Sequence, residues 1–389
     1  MTNVTLKTPL ATIARWLRPT KLPLFRIVGV EPHSQLSLTL LCGVQRQNKS
    51  FLLGLAFAGL PAEQLIGKAD LKFVLQTSVA QETDASLLML TADQPRPEWA
   101  GGNGWFFIPG WVNGEIALPL PDRVAKSEKV KSDRRRIRRQ QYEVEIKRGA
   151  KAHRDYYRTM HLPFVRRAHG DAAMLDPLAE LRPLFTPHEL LLLRKRGESE
   201  PVAGAMLLHE RGVPRLSTFG VRDGDLQLAR DGAICALYHF CLAHLTAQNF
   251  PRVHTGRARP FLRDGVLNYK RKWGNRITGS FWHWFAPGFA LKILALTPAT
   301  KSFLQHNPFI CETAGELHGV VFTDALRPLR SEIIAQLAKD FFYPGLDKLV
   351  IYCFRPACGS ALDEIPAEFA ARIFIRAADE RVGTNASAD

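Results

Sequence analysis

The sequence lacks the patterns that mark most metalloproteins and disulfide-bonded proteins. Its six cysteines are scattered without a Cys-x-x-Cys pair, and no group of His and Cys has the spacing of zinc ligands. Cys235 and Cys241 fall in an apolar helical pattern and are interpreted as buried free thiols. We therefore expect that folding requires neither a metal ion nor a disulfide, and that no cofactor is bound permanently.

A long, uncharged apolar run is also lacking. The nearest to one is "FWHWFAPGFALKILAL", Phe281 to Leu296, which is short, is broken by Pro287 and Gly288, and contains Lys292. It predicts a buried strand followed by a core helix; the alternative is an interfacial segment that makes a peripheral membrane contact. The N-terminal stretch has no clean apolar core of the kind that secretory signals carry, so a cytoplasmic location is expected.

Acidic residues are few relative to basic ones, 37 against 52, which gives a net charge of +15. The window from Arg123 to Arg154 alone carries +9, and a local basic segment is a weaker nucleic-acid signal than a uniformly basic domain. No specific DNA binding is therefore expected. The five arginines between Arg134 and Arg139 lie on a helix predicted over 127–141. That helix is either a solvated basic helix or a surface for a phosphate-bearing partner.

Apolar periodicity and turn signals divide the chain into an α/β protein of several units. Short apolar runs predict strands at "FRIVGV", "LSLTLLCGV", "SFLLGLAF", "LKFVLQTSV", "ASLLMLT" and "WFFIP", with one helix near "PAEQLIG". The predicted units are a strand-rich α/β domain (1–122), a mixed α/β domain (123–285), a C-terminal unit with a strand–helix–strand pattern (286–378) and a disordered tail (379–389).

The middle unit has the most informative order of elements. A strand is predicted over Tyr142 to Ile146, followed by a helix that breaks at Pro163. An antiparallel meander is then predicted over Leu190–Lys195, Val202–His209 and Pro214–Val221. The helix "AICALYHFCLAHLTAQN", a strand that contains "VHTG" and the helix "GVLNYKRK" complete the unit.

This order, with the residues that end it, resembles the GNAT-type acyltransferase fold and more closely its FemAB-like branch. Members of that branch often carry a "G…rpf…dG…yKxkWG" ending. The matching residues are Gly256, Arg259, Pro260, Phe261, Asp264, Gly265, Tyr269, Lys270, Lys272, Trp273 and Gly274. The resemblance covers roughly Ser127 to Trp284. It implies a mixed sheet around the central meander, and an N-acyltransferase that moves an acyl or aminoacyl group from acyl-CoA or a charged tRNA to an amine.

Acyl transfer to an amine requires aligned substrates, a route for the amine proton and stabilisation of the carbonyl oxyanion. The candidate proton acceptors are His169, His254 and Asp264, and Tyr238 or Tyr269 is a candidate to return a proton to a leaving thiolate. The candidate substrate-binding cations are Arg166, Arg167, Arg257, Arg259 and Lys270. The resemblance places the donor cofactor beside the loop "LQLARDGAICAL", at Arg230, Asp231 and Gly232.

Each candidate also has a structural interpretation. Tyr238 lies in an apolar helix, Asp264 precedes "GVLNYKRK" as an N-cap would, and Lys270 with Trp273 is compatible with a cation–π contact. The preferred hypothesis is that "DGVLNYKRKWGN" closes a transferase domain with its cations facing the substrate groove. The second hypothesis is a non-catalytic protein that binds nucleic acid or an anionic membrane surface through Arg134 to Arg139.

Overall fold

The computed structural model shows a mixed α/β protein built on three β-sheets, which confirms the predicted fold class. The residues that it describes are 21–70, 84–92, 104–170, 178, 183, 188–210, 212–281, 287–355 and 362–382. The predicted strand "LKFVLQTSV" and residues 383–389 of the predicted tail lie outside them. The first residues of that tail, Asp379–Arg381, form a helical turn, and Val382 pairs with Ile293.

The first sheet has six strands in the order β3, β1, β2, β4, β13, β5. They are β1 (Lys21–Val30), β2 (Ser37–Gly43), β3 (Ala62–Asp70), β4 (Leu87–Ala92), β5 (Trp105–Ile108) and β13 (Gly288–Ile293). A helix, α1 (Arg46–Ala56), buries Leu52 and Ala56, which lie four residues apart on one of its faces.

Two predictions for the first sheet are wrong. The stretch "SFLLGLAF" was predicted as a strand but belongs mostly to α1, and "PAEQLIG" was predicted as a helix but belongs mostly to β3. The second prediction is wrong because β3 is an edge strand whose side chains are largely exposed. Its pairing with β1 rests on backbone hydrogen bonds, which leave no apolar alternation in the sequence.

The apolar run that ends at Leu296 forms a strand where a core helix was expected. β13 lies between β4 and β5, and Phe289, Ala290, Leu291 and Ile293 are buried. A strand buried on both faces is a continuous apolar run, which periodicity cannot distinguish from a buried helix. Because these side chains are packed inside the protein, they do not form an interfacial membrane segment; residues 282–286 lie outside the described part. Among the described residues, no helix has the length and apolar character needed to cross a membrane.

The second sheet has seven strands in the order β12, β6, β11, β10, β9, β8, β7. They are β6 (Trp111–Ala117), β7 (Tyr142–Lys147), β8 (Glu189–Lys195), β9 (Ala203–Glu210), β10 (Val213–Val221), β11 (Arg252–Ala258) and β12 (Arg276–Phe281). β8, β9 and β10 form the predicted antiparallel meander.

Seven helices of the described chain accompany this sheet. They are α2 (Asp122–Ala125), α3 (Glu128–Arg139), α4 (Ala150–Tyr156), α5 (Leu162–His169), α6 (Leu226–Arg230), α7 (Ala233–Ala247) and α8 (Gly265–Lys272). α3 begins at Ser127, whose hydroxyl accepts from the amide of Val130, and it packs on α7 through Val130 and Ile137. Arg138 and Arg139 stay exposed on its outer face.

The third sheet has the order β14, β15, β16, β17, with strands β14 (Phe309–Thr313), β15 (Glu316–Thr323), β16 (Lys348–Cys353) and β17 (Ile373–Ala377). α9 (Pro298–His306) precedes it. The predicted strand–helix–strand unit is confirmed: β15 and β16 are parallel, and α10 (Ser331–Phe341) lies between them in sequence.

Two strands belong to a sheet on the other side of a predicted domain boundary. β6 precedes residue 123 yet belongs to the second sheet, and β13 follows residue 285 yet belongs to the first. The first and third sheets also share one apolar core, in which Phe106 of β5 makes edge-on contacts with the rings of Phe309, Phe322 and Tyr352. The division into domains at those boundaries stays a prediction.

Candidate active site

The ladder of the second sheet is short between two of its central strands. β10 and β11 run parallel, and within the described residues their ladder consists of one pair, Arg215 with His254. Ser217, Thr218 and Phe219, which follow that pair, are partly exposed although β10 is a central strand. Backbone N–H and C=O groups need hydrogen-bond partners, so the region beyond that pair suits a ligand that offers them. We call it the β10–β11 opening.

The backbone of Phe219 lines this opening. The amide of Arg222 donates to the carbonyl of Val202, next to β9, and backbone groups alternate between the two edges of a strand. The N–H and C=O of Phe219 therefore lie on the other edge, which faces β11. A protein N–H at that position is suited to contact a developing oxyanion.

A π-helical turn, Tyr157–His161, covers one face of the opening. His161 Nδ1 lies 2.9 Å from the carbonyl oxygen of Phe219, which can only accept, so Nδ1 carries the proton and Nε2 carries the lone pair. Tyr156 donates its hydroxyl to Thr218 Oγ1 at 3.1 Å. Gly220 lets this turn approach β10, because a Cβ there would lie 2.6 Å from the backbone nitrogen of His161.

His161 is the candidate that the sequence analysis missed. The helix was predicted to break at Pro163, whereas α5 begins at Leu162 and includes the proline near its start; the irregular turn precedes it. A proline in a helix removes a hydrogen bond from the preceding turn, and π-helical turns are frequent at functional sites. The sequence "MHLP" carries that signal, because it places a histidine directly in the turn that the proline disturbs.

The predicted tyrosines lie together on the other side of β10. Tyr238 of α7 stacks on Phe219, with ring centroids 4.7 Å apart, and meets Tyr269 of α8 edge-on at 5.1 Å. Trp273, fully buried, stacks behind Tyr238 at 5.9 Å. Burial raises the pKa of both tyrosine hydroxyls well above the usual range, so both stay protonated at neutral pH. The cluster is packed, in agreement with the structural interpretation of Tyr238.

Asp264, Lys270 and Arg257 come together where α8 packs against β11. Asp264 caps α8, since its carboxylate accepts from the amide of Leu267 at 2.8 Å. Lys270 is 4% exposed, and its Nζ donates to the carbonyl of Arg257 at 2.7 Å. Burial lowers the pKa of Lys270 to about 7, and burial raises the pKa of Asp264. Lys270 is thus a buried lysine near its titration point that fastens α8 to β11.

The other cations of "YKRKWG" are engaged within the protein. Arg271 donates to the carbonyls of Asp340 and Lys339 at 2.6 and 2.8 Å, which satisfies the last turn of α10. Lys272 forms an ion pair with the buried Asp133 of α3 and lies 4.1 Å from the ring centre of Tyr269. The expectation that the three cations face a groove is therefore wrong: they tie α8 to β11, α10 and α3.

Arg259, a predicted substrate-binding cation, is buried between two aromatic rings. Its guanidinium lies 4.4 Å from the ring centre of Phe51 and 4.1 Å from that of Trp111, and it donates to Asn48 Oδ1 at 3.0 Å. Burial lowers its pKa to about 10. These contacts join α1 to the second sheet, so they hold the guanidinium in a structural position.

The remaining candidates lie on two other elements. Arg166 and Arg167 are exposed on α5, and the side chain of His169, at the end of that helix, lies outside what the structure describes. Arg230 is exposed at the end of α6.

The start of α7 follows Asp231 and Gly232, the other two residues of the predicted donor-binding loop. Asp231 accepts from Gln227 Nε2 at 2.9 Å. Gly232 caps the helix with a φ of 102°, and the Cδ of Arg136 would lie 2.6 Å from a Cβ built on it. The exposed side chain of Arg136 therefore lies beside the N-terminus of α7, and the assignment of Arg230, Asp231 and Gly232 to donor binding stays a prediction.

Comparison with known proteins yields structural likeness only. No family model matches the chain, and neither does any curated protein. Among solved structures, a C-terminal DUF2156 domain from Agrobacterium fabrum is 12% identical with a TM-score of 0.32, over 72% of this chain and 83% of that one. L-PGS from Bacillus licheniformis is 13% identical with a TM-score of 0.32, over 66% and 76%. A GCN5-related N-acetyltransferase from Kribbella flavida is 12% identical with a TM-score of 0.27, over 75% and 66%.

Proposed function

We propose that the protein is a FemAB-like N-acyltransferase of the GNAT type that works at the β10–β11 opening. The observation that carries the proposal is that the parallel ladder between β10 and β11 is limited to the pair Arg215–His254 in the part of the chain that the structure describes. A carbonyl inserted beyond that pair would meet the N–H of Phe219, and the amide groups of an extended donor would meet backbone groups of β10 and β11.

The proton of the attacking amine needs an acceptor close to that carbonyl. His161 and His254 lie on opposite walls of the opening, and the orientation of His161 is set by the carbonyl of Phe219. We assign proton acceptance to this pair, with His161 first, because the carbonyl of Phe219 fixes the orientation of its ring.

Two donors fit the reaction, acyl-CoA and aminoacyl-tRNA, since both present a carbonyl that is activated by a good leaving group. The start of α7 beside the exposed Arg136 suits a pyrophosphate, and the exposed Arg138 and Arg139 of α3 suit a phosphate backbone. The acceptor is an amine in either case.

The test combines donor binding with its location. Each donor is added to the full chain, and hydrogen–deuterium exchange is followed in peptides that cover 216–221 and 255–258. The expected result is protection of both segments by one donor, with peptides of β16 unchanged as the internal control. Donor binding that protects neither segment would refute the site. His161→Gln should then lower the single-turnover rate about a hundredfold, the scale of general-base catalysis.

A second candidate function is non-catalytic binding of tRNA or anionic membranes through α3. Lys131, Arg135, Arg138 and Arg139 are exposed on it, and Arg138 and Arg139 have no ion pair among the described residues. For duplex nucleic acid, removing one cation that binds a phosphate should reduce the slope of log affinity against log salt by about 0.9. Arg138→Ala with Arg139→Ala should therefore flatten that slope. This function would be favoured if the protein transferred an acyl group from neither donor but bound tRNA or anionic membranes with an affinity that depends on salt.

A further inference from the structure

The turn between β1 and β2 meets the end of α9 in a cluster that the proposed transfer chemistry does not use. Glu31 and His33 belong to the turn, and His306 is the last residue of α9. One ligand-type atom from each lies within 4.8 Å of the other two. Two imidazole nitrogens and one carboxylate oxygen are a donor set that zinc and neighbouring transition metals accept.

Glu31 is the unusual member of this cluster. Its residue surface is 0% exposed, and its Oε1 atom has no hydrogen-bond partner, whereas Oε2 accepts from the amides of His33 and Ser34 at 3.1 and 2.6 Å. Burial opposes ionisation, but these amide hydrogen bonds, with the nearby hydroxyl of Ser302, outweigh it and keep the pKa of Glu31 low. Among the described residues, Glu31 therefore presents a buried carboxylate oxygen without a hydrogen-bond partner, which is costly unless another group such as a cation approaches it.

His306 is oriented as metal-binding histidines usually are. Its Nδ1 lies 2.9 Å from the carbonyl oxygen of Ser302, so Nδ1 holds the proton and Nε2 presents its lone pair. A hydrogen bond from the second ring nitrogen to a carbonyl is the common way to fix the tautomer of a ligating histidine. The ring of His33 is stacked on that of His306, with centroids 3.7 Å apart and 10° between the planes.

We propose that Glu31, His33 and His306 form a binding site for one divalent transition-metal ion, with zinc as the reference metal. Zinc bonds of about 2.0–2.2 Å require ligand atoms closer than 4.8 Å, and the ion lies near the plane of each ring. His33 is exposed on a short turn and is the group that must rotate out of the stack. Three protein ligands leave a coordination position for water. The ion would fasten the β1–β2 turn to α9, a contribution that the sequence analysis does not expect.

The experiment uses the full chain without a polyhistidine tag, stripped with a chelator and dialysed. Zinc is titrated by calorimetry, and cobalt is added separately to record its visible absorption. We expect one zinc per chain, and a melting temperature that rises with zinc because the ion binds the folded protein. Glu31→Gln, which keeps an acceptor for the two turn amides, His33→Ala and His306→Ala should each weaken zinc binding at least about tenfold.

His318→Ala is the matched control, because His318 also lies 3.2 Å from a glutamate, Glu316, outside the cluster. It should leave zinc affinity and stoichiometry unchanged. His33→Ala is the deciding variant: His33 is exposed, so its loss should not disturb the metal-free fold, which the melting temperature in chelator verifies. The proposal is overturned if zinc does not bind at one per chain, or if His33→Ala and His318→Ala bind it equally.

Discussion

The Nζ atom of Lys270 donates a 2.7 Å hydrogen bond to the backbone carbonyl of Arg257, and this lysine is almost completely buried. Its charge is therefore held in a region that disfavours charge, which lowers its pKa from 10.5 to about 7. The contact places a titrating group against β11, so it links the stability of the fold to pH.

The first prediction concerns that link. Between about pH 7 and 10.5 the unfolded chain keeps a proton on Lys270 that the folded protein has released. The contribution of Lys270 to the free energy of unfolding therefore rises with pH in this window, by up to about 1.4 kcal/mol per unit. Above pH 7, the free energy of unfolding measured in urea should rise with pH for the wild type relative to Lys270→Met.

The exposed lysine of α3 provides the control for this measurement. Lys131→Met should not reproduce the trend, because Lys131 is exposed to solvent. A difference between wild type and Lys270→Met that stays constant from about pH 6 to 9 would contradict the prediction.

The second prediction concerns the ion pair of Lys272 with Asp133, whose side chains are 16% and 8% exposed. Lys272→Met leaves the carboxylate of Asp133 buried without its closest cation, so the free energy of unfolding should fall by about 3–5 kcal/mol. Lys272→Met combined with Asp133→Leu removes both charges and should recover most of that decrease. Arg135→Met, at an exposed pair with Glu128, should change stability by less than about 1 kcal/mol. A similar effect of Lys272→Met and Arg135→Met would be inconsistent with a buried pair.

The third prediction concerns Glu189, a carboxylate that is 2% exposed at the start of β8. Burial raises its pKa, but hydrogen bonds from His244, Arg148 and His209 outweigh burial and hold the pKa below 4.5. Its contribution to stability is therefore complete above the unfolded pKa and disappears as pH falls through the folded pKa. The difference in unfolding free energy between wild type and Glu189→Gln should shrink from about pH 6 to pH 3.

An exposed glutamate separates this effect from general acid unfolding. Glu332→Gln, on the exposed surface of α10, removes one carboxylate without removing a buried network. If it showed the same pH dependence as Glu189→Gln, the decrease in stability in acid would not come from the network at Glu189.

The fourth prediction separates packing from chemistry in "DGVLNYKRKWGN". Trp273 is fully buried against Tyr238, so Trp273→Ala should lower the free energy of unfolding by about 3–5 kcal/mol. Asp264→Asn keeps an N-cap acceptor for the amide of Leu267, so it should change stability by only a few tenths of a kcal/mol. Melting temperature and transfer rate are measured for both. A rate that falls for Asp264→Asn at unchanged stability would return Asp264 to the group of catalytic residues.

The local elements of the middle unit were predictable because their apolar patterns are strong. The meander from Glu189 to Val221 consists of short apolar runs between clear turn signals, and α3 and α7 carry helical spacing with an N-cap serine in α3. In the first sheet the same reasoning failed for α1 and β13, where apolar residues occur without a distinguishing period. Burial on both faces removes the contrast on which the method depends.

The sequence by itself therefore determined that the protein is α/β, that a meander lies at its centre, and that "DGVLNYKRK" begins a helix capped by Asp264. Tertiary structure alone decided where the charges of that helix are directed, because their partners Arg257, Asp340 and Asp133 are distant in sequence. The tertiary structure also places His161 beside β10 and His306 beside Glu31. Long-range contacts of this kind depend on how sheets and helices pack, and periodicity reports only which face of an element is apolar.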